Sequence, residues 1–530
     1  MIGWDAARAA PPDDSAPPAP DAKALLAHFH PDHAPDAMTA LRIGPSAGAH
    51  CPAPLAQLLE SHPLVQDVDL AGVPVTEADV LIIGGGGAGC VAALTAARAG
   101  ARVLLVSKLR MGDGNTVMAE GGIQAAIGPD DSLQRHYADT LKAGHFKASR
   151  ELVAAMVADG PAAIRWLIEE GMAFDLAPGE ERIGGRLLMK RPGGATAARL
   201  LSHRDFTGLE MMRVLREAVL LTPGITVLER HPCVELLSEP GGAAAGAVLL
   251  DLERQRLVLA AAGATILATG GAGRLHFAGF PTSNHYGATA DGLVLAYRLG
   301  ATLREMDSFQ YHPTGIAWPP HLAGTLISEA ARAAGARLRN GTGARFIDEL
   351  APRDIVAAAI LREIAEGRGV ARDGCVGVLL DTPALEAAEP GILKTRLVTL
   401  SHLAHRAGFD PAAEPFLIRP TLHYQNGGIA IDTTGRTDVP GLFCAGEASG
   451  GLHGANRLMG NALLELVAFG RRAGTAAAEA RRTPRALGLT HLAGWERALA
   501  SAGIPRTRRA PILFPDYGNV DVAALLRQAA

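Results

Sequence analysis

Residues Val80–Gly89 read VLIIGGGGAG, an apolar run that passes straight into four consecutive glycines. The first four residues are rich in β-branched side chains and predict a short, fully buried strand. An alanine-rich helical stretch then continues to Arg98, and Arg102–Val106 predicts a second strand. Together they form a βαβ unit of about 30 residues.

Three glycines in this unit, Gly84, Gly86 and Gly89, have GxGxxG spacing directly after the strand and at the start of the helix. The spacing allows a tight turn, access of a pyrophosphate to the backbone and close packing of helix on strand. The helix N-terminus also favours phosphate. The alternative, a glycine-rich turn without a ligand, explains four consecutive glycines poorly. The motif therefore predicts dinucleotide binding.

The same sheet is predicted to return twice further along the chain. Ala264–Thr269 is a short apolar strand that ends in Gly270-Gly271, and Gly441–Glu447 is a strand with a glycine and an acid at its end. Distant segments that rejoin one sheet are typical of a doubly wound α/β domain with an insertion. We place the insertion at about residues 275–418 and expect a mixed helix and strand lobe over the nucleotide.

Composition limits the other possibilities. Of 530 residues, 48% are hydrophobic, 20% are charged and 62 are glycine, so the chain can build large cores and many tight turns. The net charge of −4 gives no basic surface for nucleic acid or anionic lipid. The window 78–106 contains charges and many glycines and does not predict a membrane span. We expect no nucleic acid partner and no direct membrane insertion.

Five scattered cysteines form no CxxC pair and no ladder of ligands for an iron–sulfur cluster. The N-terminus is acidic and proline-rich and lacks the features of a secretory signal, so we expect a cytoplasmic protein. Residues 1–76 are the least interpretable segment, with an opening that predicts a partly disordered tail. This segment includes a possible metal cluster whose spacing fits no zinc pattern, comprising His28, His30, His33, His50 and Cys51.

The second strand of the βαβ unit ends in Ser107-Lys108, where an NAD-binding unit would place an acid for the ribose. This departure argues against a simple nicotinamide dehydrogenase. Further motifs follow in order: Ala119-Glu-Gly-Gly122, Leu267-Ala-Thr-Gly-Gly271, Phe309-Gln-Tyr-His-Pro-Thr-Gly315, Ala351-Pro-Arg-Asp-Ile-Val356, Arg419-Pro-Thr-Leu-His-Tyr424 and His453-Gly-Ala-Asn-Arg457.

In this order, over about residues 78–480, the motifs resemble the succinate dehydrogenase/fumarate reductase flavoprotein family, which includes L-aspartate oxidase. The resemblance implies an α/β fold, a Rossmann-like FAD-binding domain with an inserted α+β capping domain. It also implies a dicarboxylate held between the two domains for hydride transfer at flavin N5. The implied division is an N-terminal extension (1–76), an FAD-binding domain in two parts (78–274 and 419–482), a capping domain (275–418) and a short C-terminal tail (483–530).

The resemblance assigns site residues. Arg353 matches the family's proton donor, and Glu329 and Arg332 match its proton relay. The carboxylate-binding positions are His312, Ser328, His423 and Arg457. The predicted FAD contacts are Gly84, Gly86, Gly89, Ser107, Lys108, Thr116, Gly121, Gly122, Asp291, Glu447, Ala462 and Leu463. Taken singly, each histidine could be a packing residue, and Glu329 with Arg332 could be an ordinary surface pair.

Three departures from the family pattern qualify these expectations. Asn115 occupies the position of a histidine that bonds covalently to the flavin in membrane-complex members, so FAD is expected to be non-covalent. Pro192 precedes Gly193-Gly194, where L-aspartate oxidase has a glutamate near the substrate ammonium. Only about 48 residues follow Arg482, which leaves the docking surface for an iron–sulfur subunit uncertain.

The resulting hypothesis is an FAD-dependent oxidoreductase that acts on a C4-like dicarboxylate such as fumarate or succinate, in a direction the sequence leaves open. Without a second redox centre of its own, the protein needs a redox partner, an iron–sulfur subunit or a soluble carrier, or else oxygen. One alternative is an L-aspartate oxidase that forms an imine. Another is a non-catalytic flavin electron-transfer component, which the presence of Arg353 fits poorly.

Overall fold

The computed structural model describes residues 1–17, 19–65, 69–180 and 185–513. The helices are α1 (Trp4–Ala9), α2 (Ala22–Phe29), α3 (Ala53–Leu59), α4 (Gly87–Arg98), α5 (Leu133–Ala143), α6 (Arg150–Glu169), α7 (Thr207–Leu221), α8 (Asp291–Leu299), α9 (Ala330–Ala333), α10 (Arg353–Ala365), α11 (Thr382–Ala388), α12 (Ile392–Thr395), α13 (Val398–Ala407), α14 (Asn461–Glu479) and α15 (Thr490–Ser501).

The strands are β1 (Ile2–Gly3), β2 (Met38–Ala40), β3 (His50–Pro52), β4 (His62–Pro63), β5 (Val75–Glu77), β6 (Val80–Ile83), β7 (Val103–Val106), β8 (Ile123–Gln124), β9 (Leu200–Leu201), β10 (Ile225–Leu228), β11 (Cys233–Ser238), β12 (Ala244–Asp251), β13 (Arg256–Ala261), β14 (Ala264–Leu267), β15 (Leu303–Arg304), β16 (Phe309–Ile316), β17 (Arg337–Arg339), β18 (Val370–Arg372), β19 (Cys375–Asp381), β20 (Phe416–Gln425), β21 (Gly428–Ala430), β22 (Leu442–Cys444), β23 (Ser449–Gly450) and β24 (Arg509–Ala510).

A five-stranded parallel sheet forms the base of the nucleotide-binding part, in the order β10-β7-β6-β14-β22. Its central strands are buried on both faces, which accounts for their continuous apolar sequences. Helices α4 and α14 pack against each other beside this sheet. The predicted βαβ unit and the return of two distant strands to the same sheet are confirmed.

The inserted segment builds a second core around a six-stranded sheet in the order β1-β18-β19-β20-β16, with β17 paired to β19. Helix α10 lies against β16, β19 and β20 and contributes to a separate apolar cluster. Helix and strand are therefore mixed in this lobe, as expected. Strand β20 spans residues 418 and 419, so the predicted boundary between insertion and returning domain falls inside a strand rather than between elements.

The N-terminal segment is built into the fold, unlike the partly disordered tail that its composition predicts. Strand β1 pairs in parallel with β18 at the edge of the capping sheet, and α2 packs against α10. Further along, α3 packs against α8 of the nucleotide-binding part. Backbone pairing and an apolar face on α2 supply the order that composition alone did not reveal.

The described residues contain no group of three or more histidine, cysteine or acidic side chains arranged to hold a metal ion. All five cysteines are free, and four of them are buried. Within the same ranges, no helix combines the length and apolarity needed to cross a bilayer. Of the predicted C-terminal tail, residues 514–530 lie outside the described ranges.

Gly89 tests the contact between α4 and the preceding turn. A Cβ at this position would lie 1.9 Å from the carbonyl oxygen of Gly84. We expect Gly89→Ala to destabilise the protein by about 3 kcal/mol, because neither backbone can move without opening the sheet. Gly494→Ala in α15 is the control, since its Cβ meets only Arg497 Nη2 at 3.9 Å. Chemical denaturation of both variants checks this, and equal stabilities would contradict it.

Candidate functional site

A cavity of about 780 Å³ lies between the carboxyl ends of the parallel strands and the capping lobe. Most of the predicted site residues line it: Gly84, Gly86, Ser107, Lys108, Thr116, Gly121, Gly122, Asp291, His312, Ser328, Glu329, Arg353, His423, Glu447, Arg457, Ala462 and Leu463. Gly89 and Arg332 lie behind the wall. The cavity is thus one continuous space shared by the predicted cofactor and substrate residues.

The glycine turn forms a narrow cradle at one end of the cavity. Gly84 has φ +119°, and a Cβ there would lie 2.1 Å from the carbonyl oxygen of Ala268. Gly86 caps α4 and faces open space, since a Cβ there would meet only Thr116 Oγ1, at 3.9 Å. Thr116 Oγ1 also accepts a hydrogen bond of 3.2 Å from Gly87 N. Bare backbone and a helix N-terminus therefore face the space where phosphates are predicted.

Lys108 and Asp291 meet at the same end of the cavity. Lys108 Nζ donates to Asp291 Oδ2 at 2.6 Å, to Thr289 Oγ1 at 2.8 Å and to the carbonyl of Ile512 at 3.2 Å. Ser107, just before the lysine, is buried. The end of the second strand thus holds a buried ion pair in place of a single ribose-binding acid.

Glu447 presents a buried carboxylate to the middle of the cavity. It accepts hydrogen bonds from Gln425 N at 3.1 Å and from Asn115 Nδ2 at 2.9 Å. Burial raises the pKa of Glu447 above its usual value, although these two donors oppose the shift. Further hydrogen-bond donors on a ligand would favour its ionised form. The geometry fits the predicted role as an acceptor for the hydroxyls of a sugar-like chain.

Gly121 and Gly122 hold the backbone close to the cavity wall. A Cβ on Gly121 would lie 2.7 Å from Met459 Cε, and one on Gly122, at φ +142°, would lie 2.4 Å from the carbonyl oxygen of Leu201. Ala462 and Leu463 line the wall from the first turn of α14. A cradle of bare backbone, a helix N-terminus, small side chains and a buried acceptor together fit FAD, for which the cavity is large enough.

Glu120, next to this glycine pair, is a site residue that the sequence reasoning missed. It lines the cavity, and its Oε2 is buried without a hydrogen-bond partner among the described residues. Burial, assisted by the charge of Asp205, raises the pKa of Glu120 to about 8. The acid in the Ala-Glu-Gly-Gly motif was the signal available for it in the sequence.

Two guanidinium groups and one amide form the floor of the substrate end. Arg353 Nη1 and Arg457 Nη2 both donate to Gln310 Oε1, at 3.2 and 3.0 Å. Gln310 Nε2 in turn donates to Asn456 Oδ1 and to the carbonyl of Arg457, each at 2.7 Å. Gln310 was also missed, although it stands two residues before His312 in the quoted motif. One side chain therefore fixes the spacing of the two arginines.

His312 and His423 face each other edge to face, with ring centroids 5.2 Å apart. Burial, followed by the charge of Arg353, lowers the pKa of both rings well below the usual value, so both are neutral at pH 7. Thr314 N donates to His312 Nδ1 at 3.3 Å, which leaves the proton of that ring on Nε2. His423 Nδ1 lies 2.7 Å from Ser283 Oγ. Both rings can contribute hydrogen bonds without adding charge.

Glu329 connects the predicted proton donor to the predicted relay. Arg353 Nε donates to Glu329 Oε2 at 3.0 Å, and Arg332 Nη2 donates to the same oxygen at 3.3 Å. Burial raises the pKa of Glu329, but the two guanidiniums outweigh it and the pKa falls to about 2. The pair is buried, so it is not the ordinary surface pair of the alternative interpretation.

Two further predicted positions lie beside this relay. Gly193 N, directly after the buried Pro192, donates to Glu329 Oε1 at 3.0 Å. Ser328 lines the cavity, and its hydroxyl accepts a 3.3 Å hydrogen bond from Ala330 N. The structure thus gathers donor, relay and carboxylate-binding candidates at one end of the cavity, opposite the glycine cradle.

Comparison with known proteins is consistent with this arrangement. Residues 79–463 match a family model described as an FAD binding domain. The flavoprotein chain of the fumarate reductase (CoM/CoB) of Methanothermobacter marburgensis is 41% identical over 414 residues, which covers 76% of this chain and 73% of that protein. An L-aspartate oxidase of Streptomyces coelicolor is 37% identical over 457 residues, covering 83% and 74%.

Solved structures give the same picture. The FrdA chain of an E. coli quinol fumarate reductase mutant has a TM-score of 0.73 and 32% identity, and the match covers 81% of this chain and 74% of that one. Sdh1 of Mycobacterium smegmatis in complex with UQ1 has a TM-score of 0.68 and 36% identity, with coverage of 80% and 72%.

Glu120 predicts a pH dependence at the cofactor end. Its pKa rises from a usual value near 4.5 to about 8 on folding, so the native state binds more protons between these values and stability falls as pH rises through them. We expect Glu120→Gln to reduce this fall. In protein loaded with FAD, we also expect the variant to lose a change in flavin absorbance centred near pH 8.

Glu305→Gln is the matched control, because burial also raises the pKa of Glu305 but that residue does not line the cavity. Melting temperature and the visible spectrum are followed from pH 5 to pH 9. An absorbance transition that persists in Glu120→Gln would contradict the assignment to this carboxyl.

Proposed function

Because the chain belongs to the succinate dehydrogenase/fumarate reductase flavoprotein family, we propose that it interconverts an unsaturated C4-like dicarboxylate, such as fumarate, and its saturated form. The chain is an FAD-dependent oxidoreductase of this type. The observation that carries the proposed substrate is the pair of arginines joined by Gln310, with two neutral histidines, at the end of the cavity beyond the cofactor cradle.

The charges at the substrate end favour a dianion. Burial, and then the nearby charge of Arg353, lowers the pKa of Arg457 to about 10. Arg457 Nε has no hydrogen-bond partner among the described residues, and the guanidinium lies 4.2 Å from the ring centroid of Tyr424. A carboxylate would restore charge balance and accept bidentate hydrogen bonds. The histidines would bind the second carboxylate as neutral donors.

Bound FAD supplies the hydride acceptor or donor. In the reductive direction, Arg353 would donate the proton that the alkene carbon needs, and Glu329, bonded to Arg353 Nε, would receive a proton from the solvent side through Arg332 and pass it to the arginine. In the oxidative direction the same proton leaves by the same groups. A guanidinium releases its proton reluctantly, and a carboxylate in direct contact is the group that can replace it.

Amino-acid oxidation is the second candidate, favoured by the similarity to the Streptomyces coelicolor L-aspartate oxidase. At the position where a glutamate would accept from a substrate ammonium, this chain has Pro192, whose side chain has no acceptor. This difference supports the dicarboxylate proposal over the amino-acid one. Formation of an imine from aspartate would reverse the order.

Electron supply from a partner is part of the proposal. The described residues contain no cluster of metal-ligand side chains, and the Methanothermobacter marburgensis relative is named as one chain of a multi-chain reductase. We propose that electrons pass between the flavin and an iron–sulfur protein or a soluble carrier.

The FAD is proposed to be non-covalent. The Asn115 amide donates to Asn284 Oδ1 at 2.7 Å and to Glu447 Oε2 at 2.9 Å, and it accepts from His285 N at 2.7 Å. It has no ring nitrogen able to bond to carbon. Acid precipitation of the holoprotein is therefore expected to release all the flavin into the supernatant, with FAD added just before precipitation as the recovery control. Yellow colour retained in the washed, denatured pellet would contradict this.

The reaction is tested with anaerobic holoprotein, reduced viologen and fumarate. Wild-type protein is expected to oxidise the dye, and Arg353→Gln is expected to lower kcat by about 10³-fold, in the range for loss of a positioned proton donor, with FAD content unchanged. Arg362→Gln is the matched control, because Arg362 lies on the same helix but bonds to Glu363 outside the cavity.

If wild-type protein reduces neither fumarate nor a related unsaturated acid, the proposed function is wrong. Activity retained in Arg353→Gln would remove only the assignment of the proton donor.

A further inference from the structure

The N-terminal segment contributes a buried acid to the back of the strand that carries substrate-site residues. Asp32 Oδ2 accepts a hydrogen bond of 2.8 Å from Phe309 N, and Asp32 Oδ1 accepts one of 3.2 Å from the hydroxyl of Tyr311. Asp32 is 8% exposed. It lies outside the residues matched by the family model, which begin at residue 79. We propose that Asp32 is a positioning residue for the dicarboxylate site and acts through β16.

Side chains alternate along β16. Phe309 and Tyr311 point to the back, and Gln310 and His312 point to the substrate end of the cavity. A shift of one residue would therefore turn the cavity-facing pair away from the substrate. Asp32 binds the strand at residues 309 and 311, on either side of Gln310. Its two hydrogen bonds fix the strand where the alternation matters most.

Pairing with β20 leaves this part of β16 weakly specified. The register between the two strands shifts between Gln310 and Tyr311 and again between His312 and Gly315. At such irregularities the ladder does not by itself determine which residue faces the site. A second contact from outside the sheet is then needed, and the buried carboxyl of Asp32 supplies it.

The surroundings of Asp32 hold it in place. The His30 ring meets the Tyr311 ring edge to face at 5.8 Å, and Phe280 packs on Tyr311 at 4.9 Å. Helix α2, just before Asp32, places Leu25 in the same apolar core as Val356 of α10, the helix that begins with Arg353. The segment from α2 to Asp32 thus supports both the strand and the helix that carry the site.

The test compares Asp32→Ala with Asp32→Asn in full-length holoprotein. Asparagine can still accept from Phe309 N and can donate to the Tyr311 oxygen, whereas alanine leaves both donors unpaired. Burial raises the pKa of Asp32 to about 8, so an uncharged amide resembles the native group at pH 7. We expect Asp32→Ala to lower kcat at least about tenfold and to raise KM for fumarate, and Asp32→Asn to stay within about twofold of wild type.

Glu60→Ala is the matched control. Glu60 is also a buried acid of the N-terminal segment that accepts from two backbone N–H groups, those of Arg42 and Ile43, but it contacts no strand of the site. It is expected to lower stability without changing kcat. If Asp32→Ala and Glu60→Ala have the same kcat, the proposal is overturned.

Two further measurements keep the result decisive. Tyr311→Phe removes one of the two hydrogen bonds with little change of shape, and if Asp32→Ala does not fold, a kcat for Tyr311→Phe equal to that of wild type overturns the proposal. The inference rests on the proposed function, so hydrogen–deuterium exchange of residues 309–316 provides a readout independent of turnover. Exchange there should accelerate in Asp32→Ala and not in Glu60→Ala, even if fumarate is not the substrate, and equal exchange would overturn it.

Discussion

Two buried cations that share one neutral acceptor are the constraint on which the rest of the site depends. The guanidiniums of Arg353 and Arg457 would repel each other in an interior of low dielectric constant. Gln310 Oε1 bonds to both and holds them at the spacing of a two-ended anion. Because this arrangement is costly without a counter-charge, the neighbouring groups are of two kinds, those that neutralise charge and those that avoid adding to it.

The two arginines receive different compensation, and the difference separates their roles. Arg353 bonds directly to the carboxylate of Glu329, which provides both a counter-charge and a route for a proton. Arg457 lies over the ring of Tyr424, whose hydroxyl donates to the buried Glu465 at 2.7 Å. A ring face and an indirect carboxylate compensate a cation less completely than a direct ion pair. Arg457 is therefore the arginine that gains more from a substrate carboxylate.

The sequence predicted those parts of the molecule that depend on local spacing. The βαβ unit followed from strand, glycine turn and helix within 30 residues, because each glycine has a local steric reason. Buried groups whose role depends on distant partners were harder to find. Glu120 is unusual only because no donor among the described residues reaches its Oε2, and Gln310 matters only because Arg353 and Arg457 converge on it from two other parts of the chain.

The N-terminal segment illustrates the same limit most clearly. Its prolines, alanines and acids resemble those of a disordered tail when hydrophobicity and charge are averaged over the segment. Order in this segment comes from partners more than 250 residues away, such as β18 for β1 and β16 for Asp32. A single buried carboxyl that bonds to a distant strand changes the average composition very little. It can nevertheless determine which face of that strand meets the substrate, because a strand offers only two faces and the register selects between them.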